Sequence, residues 1–156
     1  MDDLNALEEW AGALLARMEP AARRKVAVDV GRELRRSQQQ RIKQQQNPDG
    51  SAFEPRKPRM VMRDARLREK EGRIKRRFMF AKLRTAKFLK VTVDRDGLAI
   101  GFTGRAARLA RVHQEGQTAS VDRNGATYTY PIRQVLGFTQ AEREMIHAKL
   151  LEHLAP

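Results

Sequence analysis

The sequence predicts an α+β fold: a small antiparallel sheet of two hairpins, packed with long N-terminal helices and a C-terminal helix, with an extended proline-rich arm. Three observations predict this class. Apolar residues recur at helical spacing near both ends of the chain, alternate with period two in two stretches between residues 88 and 132, and give way to X-Pro steps before residue 60. A chain of 156 residues has the size of one domain. Within this single domain, 1–156, we expect N-terminal helices (1–46), an arm or loop (47–60) and an α+β core (61–156).

Two helices are predicted at the N-terminus. The first, over about residues 3–18, has an acidic start and an apolar face centred on Trp10. The second, residues 21–46, carries an apolar stripe at i, i+4 spacing and ends in a glutamine-rich stretch; the stripe consists of Val26, Val30 and Leu34. A helix this long and polar buries little surface, which favours contact with a neighbouring subunit. The alternative is a solvated amphipathic helix in a monomer.

The region after the second helix contains turn and proline signals. Asn47-Pro48-Asp49-Gly50 predicts a turn, and the X-Pro steps that follow enforce extended backbone, so we expect an ordered arm or a flexible loop outside the core. Residues 61–86 return to helical composition, although Gly72 weakens the prediction of one continuous helix.

The remaining elements alternate between strand and helix patterns. Two hairpins are predicted, one turning at Asp96-Gly97 and one near Asn124-Gly125. A short helix over residues 105–114 lies between them and stops at Gly116. The last helix begins at a capping box formed by Thr139 and Glu142.

The net charge of +13 lies in the middle of the chain. Residues 1–20 carry −4, residues 21–90 carry +16 and residues 91–156 carry +1. Such a block attracts either a polyanion or an acidic protein surface, and charge alone does not distinguish them. In a nucleic-acid-binding module, phosphates would meet a basic patch consisting of Arg73, Lys75, Arg76, Arg77, Lys82 and Arg84. The phenylalanines among these cations could stack on bases, but core packing is the commoner use of that spacing; they are Phe78, Phe80 and Phe88.

The residues that usually carry chemistry are sparse. The chain has no cysteine, which excludes disulfides, thiol nucleophiles and Cys-ligated metal sites. His147 and His153 are six residues apart on the last helix and do not face each other, and His113 fits a helix-end histidine that bonds carbonyls. No motif suggests a nucleophile or a paired-carboxylate site. We therefore expect a protein that is not an enzyme, with no catalytic residue, no metal site and no cofactor.

Membrane insertion and export are not expected either. No apolar run approaches the length of about 18 residues that a membrane span needs. The acidic N-terminus lacks the charge pattern of a secretory signal, so we expect the chain to stay where it is made.

The order of several motifs resembles a known family. After the Arg- and Gln-rich helix and the Asn-Pro-Asp-Gly turn come Met79-Phe80-x-Lys82-Leu83-Arg84, the first strand pair, His113-Gln114-x-Gly116, Tyr130-Pro131-x-Arg133-x-x-Leu136-Gly137 and a closing helix. Each motif alone is weak, but their order over residues 20–154 is similar to the phage virion morphogenesis family, the tail completion proteins of contractile-tailed bacteriophages. The family motif residues are Pro48, Asp49, Gly50, His113, Gln114, Gly116, Tyr130, Pro131, Arg133 and Gly137.

The resemblance implies a structural role late in tail assembly. It implies a ring, commonly sixfold, at the head-proximal end of the tail, which helps the tail to join a filled capsid. The implied partners are copies of the chain itself, the tail tube, the tail terminator or sheath and the capsid connector, with weak contact to packaged DNA and none to a membrane. The implied location is the virion tail or neck, with assembly in the host cytoplasm.

The ring hypothesis gives candidate contact residues between subunits. The long second helix and the arm offer more surface than a chain of this size can cover alone, as a heterologous ring contact requires. The candidate interface anchors are Trp10, Val26, Val30, Leu34 and Phe53.

Overall fold

The computed structural model describes residues 2–56, 60–63, 66–69, 78–121 and 123–154. Four helices are present in this part of the chain: α1 (Asp2–Leu15), α2 (Pro20–Lys43), α3 (Arg105–Glu115) and α4 (Gln140–Leu154). Six strands form three antiparallel hairpins: β1 (Met60–Arg63) with β2 (Arg66–Glu69), β3 (Leu89–Val93) with β4 (Leu98–Phe102), and β5 (Thr118–Ser120) with β6 (Thr127–Thr129). The predicted α+β class is confirmed. Both predicted hairpins are present, each as a separate two-stranded sheet.

The helix ends follow local rules of capping. α2 begins with a proline at its first position and ends at Lys43, two residues before Gln45 takes a positive φ of 60° and turns the chain away from the helix. α3 ends at Gly116, whose φ of 65° is the left-handed conformation that glycine adopts without strain. Before α4, the Thr139 hydroxyl accepts the amide of Glu142, and a carboxylate oxygen of Glu142 accepts the amide of Thr139. These reciprocal bonds confirm the predicted capping box.

One hydrophobic cluster is built around α2. Val26, Val30 and Leu34 are 2%, 5% and 1% exposed, and they pack with Leu150 of α4. Partly buried residues complete the cluster: Trp10, Ala11, Leu15, Met18, Leu98, Ile100, Phe138, Met145 and Ile146. The long helix is thus a central element of its own chain. The prediction that its stripe anchors a neighbouring subunit is wrong, because β4, α1 and α4 bury it.

A close approach fixes how the β3–β4 hairpin lies on α2. A Cβ atom on Gly31 would stand 2.6 Å from Val91 Cγ1 and 2.9 Å from Leu98 Cδ1. A side chain at this position would require Val91 or Leu98 to move, so the close packing of sheet and helix favours glycine here.

The second cluster joins the far end of α2 to α3 and the loops. Its buried members are Ile42, Phe53, Met79, Phe80, Leu83, Ala106, Ala110 and Val135. Phe53 is 4% exposed and meets the edge of Phe80 at 5.6 Å between ring centroids. The prediction that Phe53 is an interface anchor on an arm is therefore wrong, because its ring fills the core of its own chain.

The helical prediction for residues 61–86 is also wrong where the structure describes it. Residues 60–63 and 66–69 pair as an antiparallel ladder with Val61 opposite Arg68, and residues 79–87 form turns. A segment of four residues spans barely one helical turn, so its composition carries little information and backbone pairing decides. Residues 70–77 lie outside the described part of the chain.

None of the described helices combines the length and the apolar character needed to cross a bilayer.

Candidate functional site: a polar junction that joins the family motifs

The motifs that are scattered along the sequence meet in one place. The end of α2, the loop over residues 45–56, the end of α3 and the segment over residues 130–137 are connected by side-chain hydrogen bonds, most of which are partly buried. We call this region the polar junction and define it by Gln38, Arg41, Gln45, Asn47, Gln114 and Arg133 together with the backbone that they bond.

Arg41 is the first of two buried arginines in the junction and is 5% exposed. Its guanidinium donates to the carbonyls of Gln46, Gln134 and Val135 at 3.0, 2.9 and 3.0 Å. Burial lowers the pKa of Arg41, and the negative charge of Glu142 partly opposes that shift. Arg41 therefore ties the end of its own helix to a segment more than 90 residues away.

Arg133 is the second buried arginine and is 3% exposed. Its Nε and Nη2 donate to the carbonyls of Glu54 and Pro55 at 2.6 and 3.0 Å, and its Nη1 lies 3.1 Å from Nδ1 of His113. Burial lowers the pKa of Arg133. This residue holds the proline-containing loop against the end of α3.

His113 is held as a neutral ring. Burial first, and the charges of Arg133 and Arg56 next, lower its pKa from 6.5 to about 4. Because the guanidinium donates to Nδ1, the proton of the neutral ring lies on Nε2. The expected carbonyl bond of the ring gives way to this arginine contact, while the His113 carbonyl accepts the amide of Arg133 at 2.8 Å.

Two glutamine side chains each form a pair of hydrogen bonds with the backbone of one distant residue, donating to its carbonyl and accepting from its amide. The amide of Gln114 both donates to and accepts from the backbone of Leu136, at 3.0 Å each. Gln45 does the same with Met79, donating at 2.9 Å and accepting at 2.7 Å. Paired bonds of this kind fix both the distance and the orientation of the bonded segments.

The Asn-Pro-Asp-Gly turn is fixed to the same segment. Asn47 Oδ1 accepts the amide of Gln134 at 2.8 Å, and the Gly50 amide donates to the Asn47 carbonyl at 3.0 Å to close the turn. A Cβ atom on Gly137 would lie 2.6 Å from Pro48 Cγ. The predicted turn is confirmed, and its tip is exposed at the surface, with Asp49, Gly50, Ser51 and Ala52 open to solvent.

Gly116 and Gly50, the other two glycines of the motifs, are also explained by their immediate surroundings. A Cβ atom on Gly116 would meet Ile132 Cγ1 at 2.7 Å and the Tyr130 carbonyl at 3.2 Å, so this position needs glycine for space as well as for its positive φ. Gly50 has a φ of 87° with open space around it. Glycine is favoured at this position by the backbone conformation alone, since there is space for a side chain.

Sequence reasoning missed most of the polar side chains at the centre of the junction. Gln38 is 1% exposed and its amide lies 3.4 Å from the Gly137 carbonyl. The available signal was its position, since Gln38 continues the i, i+4 stripe of Val26, Val30 and Leu34 toward Ile42. A polar residue at such a position predicts a buried hydrogen bond. Arg41 and Gln45 gave no comparable signal.

The predicted basic patch is only partly described. Lys82 is exposed and Arg84 is half-buried, while Arg73, Lys75, Arg76 and Arg77 lie outside the described residues. Phe80 is buried and Phe88 packs against the core, as expected for core residues, whereas Phe78 is 56% exposed. Within the described ranges, no group of three or more His, Asp or Glu side chains could hold a metal ion.

Trp10, the remaining predicted anchor, is half-buried on the α2 cluster. Its ring stacks on His147 of α4 with 4.3 Å between centroids and 14° between planes. Trp10 therefore attaches α1 to α4 within the chain.

A sequence profile of the phage virion morphogenesis family matches residues 2–155. The chain belongs to this family. Tail completion protein S of Escherichia phage P2 is 34% identical over 155 residues, which cover 99% of each chain. No solved structure matches the chain.

Family membership confirms the predicted resemblance and the predicted role in phage tail completion and virion assembly. The role places the chain in the virion tail and requires contact with other virion proteins. In this chain the polar junction brings the loop over residues 45–56, the end of α3 and the segment over residues 130–137 into one arrangement around the end of α2.

Proposed function

We propose that this chain completes the phage tail as a ring-forming component of the neck, at the end of the tail that meets the head. The observation that carries the proposal is the match to tail completion protein S over 99% of both chains. In this proposal the chain assembles in the host cytoplasm, contacts the tail tube, the terminator or sheath and the capsid connector, and makes the tail competent to join a filled capsid.

The ring is supported by backbone that has no partner within the described chain. Each of the three hairpins is a two-stranded sheet, so its outer strand edges stay unpaired among the described residues. The β1–β2 hairpin makes no extensive contact with any other described element. Unpaired strand edges are features that a neighbouring copy can cover in a sixfold ring with heterologous contacts.

The proposal includes no catalytic step. The buried polar side chains of the junction bond backbone carbonyls and amides, and they are therefore engaged in holding loops together. Alanine substitutions of His113, His147 and Glu144 test for an enzymatic role. We expect these variants to change stability or assembly, while any loss of a measurable hydrolytic activity would contradict a purely structural role.

A complementation experiment tests the position and the role. In a lysate of a phage that lacks this gene, we expect filled capsids and tails to accumulate separately, and the purified chain should restore joined particles. Electron microscopy of the neck should then show added density at the head-proximal end of the tail. Normal particles without the chain, or density at the opposite end of the tail, would refute the proposal.

The alternative is a basic nucleic-acid-binding module, favoured by the charge of +16 in residues 21–90. For that function, the affinity for duplex DNA should fall steeply with salt, with a log–log slope of about −0.9 for each phosphate neutralised. Weak binding of duplex DNA with a shallow salt dependence would contradict the nucleic-acid-binding alternative and favour the structural role.

A further inference from the structure

The outward face of α2 carries a groove that the fold itself does not use. We call it the basic groove; it is lined by Ala21, Arg24, Lys25, Val28, Asp29, Arg32 and His153. Arg24, Val28 and Arg32 follow one another at i, i+4 spacing, so two exposed cations flank an apolar centre. Val28 is 40% exposed, whereas Val26 and Val30 on the opposite face of the helix are buried.

The single carboxylate of the groove does not cancel its positive charge. Asp29 is already bonded to Lys149, with 3.1 Å between Oδ2 and Nζ, and lies 3.5 Å from Nε2 of His153. Arg24, Lys25 and Arg32 are therefore left to attract an anionic partner. The lining contains no residue of α1, so the chain's own first helix leaves the groove open.

α1 presents a surface of complementary character. Its sequence contains Asp2, Asp3, Glu8 and Glu9 and no basic residue. On the exposed side, Leu4 is 37% exposed, and Asn5, Glu8 and Glu9 are open to solvent. Leu4 and Glu8 are one helical turn apart, the same separation as Val28 and either flanking arginine.

We propose that α1 of one copy docks in the basic groove of the next copy, with Leu4 against Val28 and Glu8 and Glu9 against the arginines. The two surfaces lie on different parts of the chain, so the contact is heterologous and repeats from copy to copy, as a ring requires. This inference rests on the proposed ring. A protein helix fits better than a nucleic acid, because the exposed apolar Val28 can pack against Leu4 of a helix, whereas it offers nothing to a phosphate.

The absence of cysteine from the sequence allows a clean cross-linking test. Two full-length variants, Leu4→Cys and Val28→Cys, are prepared separately, mixed, assembled with tails and oxidised. We expect a disulfide-linked dimer in the mixture and none from either variant alone. Val121→Cys, which replaces an apolar residue that is 59% exposed elsewhere, is the matched control and should not link to Leu4→Cys.

Charge reversal tests the same contact without a cross-link. The double variant Arg24→Glu/Arg32→Glu and the double variant Glu8→Lys/Glu9→Lys should each weaken self-association about tenfold, measured by sedimentation equilibrium. A mixture of the two should regain association between unlike chains, because the reversed charges again match. Arg95→Glu/Arg108→Glu, a change of the same charge at exposed sites outside the groove, should associate normally.

Each result decides between distinct conclusions. If no mixed cross-link forms, if Leu4→Cys links to itself, or if the reversed pair fails to restore association, the docking contact is wrong. If Arg24→Glu/Arg32→Glu associates normally but binds duplex DNA more weakly, the groove is a nucleic-acid surface and the inference is overturned. Failure of the wild-type chain to restore joined particles would instead refute the proposed function, whatever the cross-links show.

Discussion

Replacement of Arg133 by methionine removes the guanidinium that connects three segments of the polar junction. Methionine retains most of the apolar length of the side chain, so the change tests the hydrogen bonds more than the packing. It leaves the carbonyls of Glu54 and Pro55 and the Nδ1 atom of His113 without their donor.

The size of the effect follows from these three contacts. A hydrogen bond from an ionised donor contributes about 1.5–3 kcal/mol. Water can reach the carbonyls of Glu54 and Pro55 in the variant, because both residues are exposed, and the cost of burying the cation disappears. We therefore expect Arg133→Met to lower the free energy of unfolding by about 2–4 kcal/mol in total.

The same substitution should change the titration of His113. Burial is the largest cause of its low pKa and the charge of Arg133 is the second, so removal of that charge should raise the pKa from about 4 toward 6.5 without reaching it. Nuclear magnetic resonance titration of the ring protons measures this shift, and a His113→Asn variant assigns the resonance.

Urea unfolding of the purified chain measures the stability change, with Arg108→Met at an exposed position of α3 as the control. The control should stay within about 0.5 kcal/mol of the wild type. A loss of less than about 1 kcal/mol in Arg133→Met would refute the assignment of Arg133 as the central link of the junction. An unchanged pKa of His113 would refute the electrostatic part of the reasoning.

Three further predictions concern stability. Gly31→Ala should destabilise by about 1–3 kcal/mol in urea unfolding because its Cβ meets Val91, whereas Gly12→Ala, where space is open, should stabilise by about 0.5–1 kcal/mol; equal effects would contradict the close packing of sheet and helix. His113 has a folded pKa of about 4 against 6.5 unfolded, so the unfolded state binds more protons between these values. Stability should be full above pH 6.5 and fall by roughly 1–2 kcal/mol as the pH drops toward 4, an effect that His113→Asn should abolish. Thr139→Ala removes the hydroxyl that caps α4 and should cost about 1 kcal/mol, measured as a lower thermal midpoint; an unchanged midpoint would mean that the capping box contributes nothing.

Much of the fold follows from short stretches of sequence. Four predicted features each depend on residues that are only a few positions apart, and the structure has all four. They are the turns at Asp96-Gly97 and Asn124-Gly125, the end of α3 at Gly116 and the capping box before α4. The helical prediction was wrong for the described residues 61–63 and 66–69, because short segments of mixed composition lack a local signal that separates strand from helix.

The surroundings of α2 do not follow from its local sequence. Its stripe was correctly identified as apolar, but which surface covers Val26 and Leu34 depends on β4 and α4, elements encoded more than 60 residues later. The basic groove could not be identified from the sequence. Arg24, Val28 and Arg32 are recognised as one exposed face only when the structure shows which face of α2 is buried.

The sequence by itself determined the two hairpin turns, the end of α3 at Gly116, the start of α4 at its capping box, the uneven distribution of charge and, through the order of its motifs, the family. The tertiary structure alone decided that these motifs form one junction, that Phe53 and the α2 stripe belong to the core, and that α1 and α2 keep exposed faces of opposite charge. The physical reason is the range of the interactions: capping and turn geometry act between neighbouring residues, whereas Arg41 and Gln38 find their carbonyl partners 93 to 99 residues away.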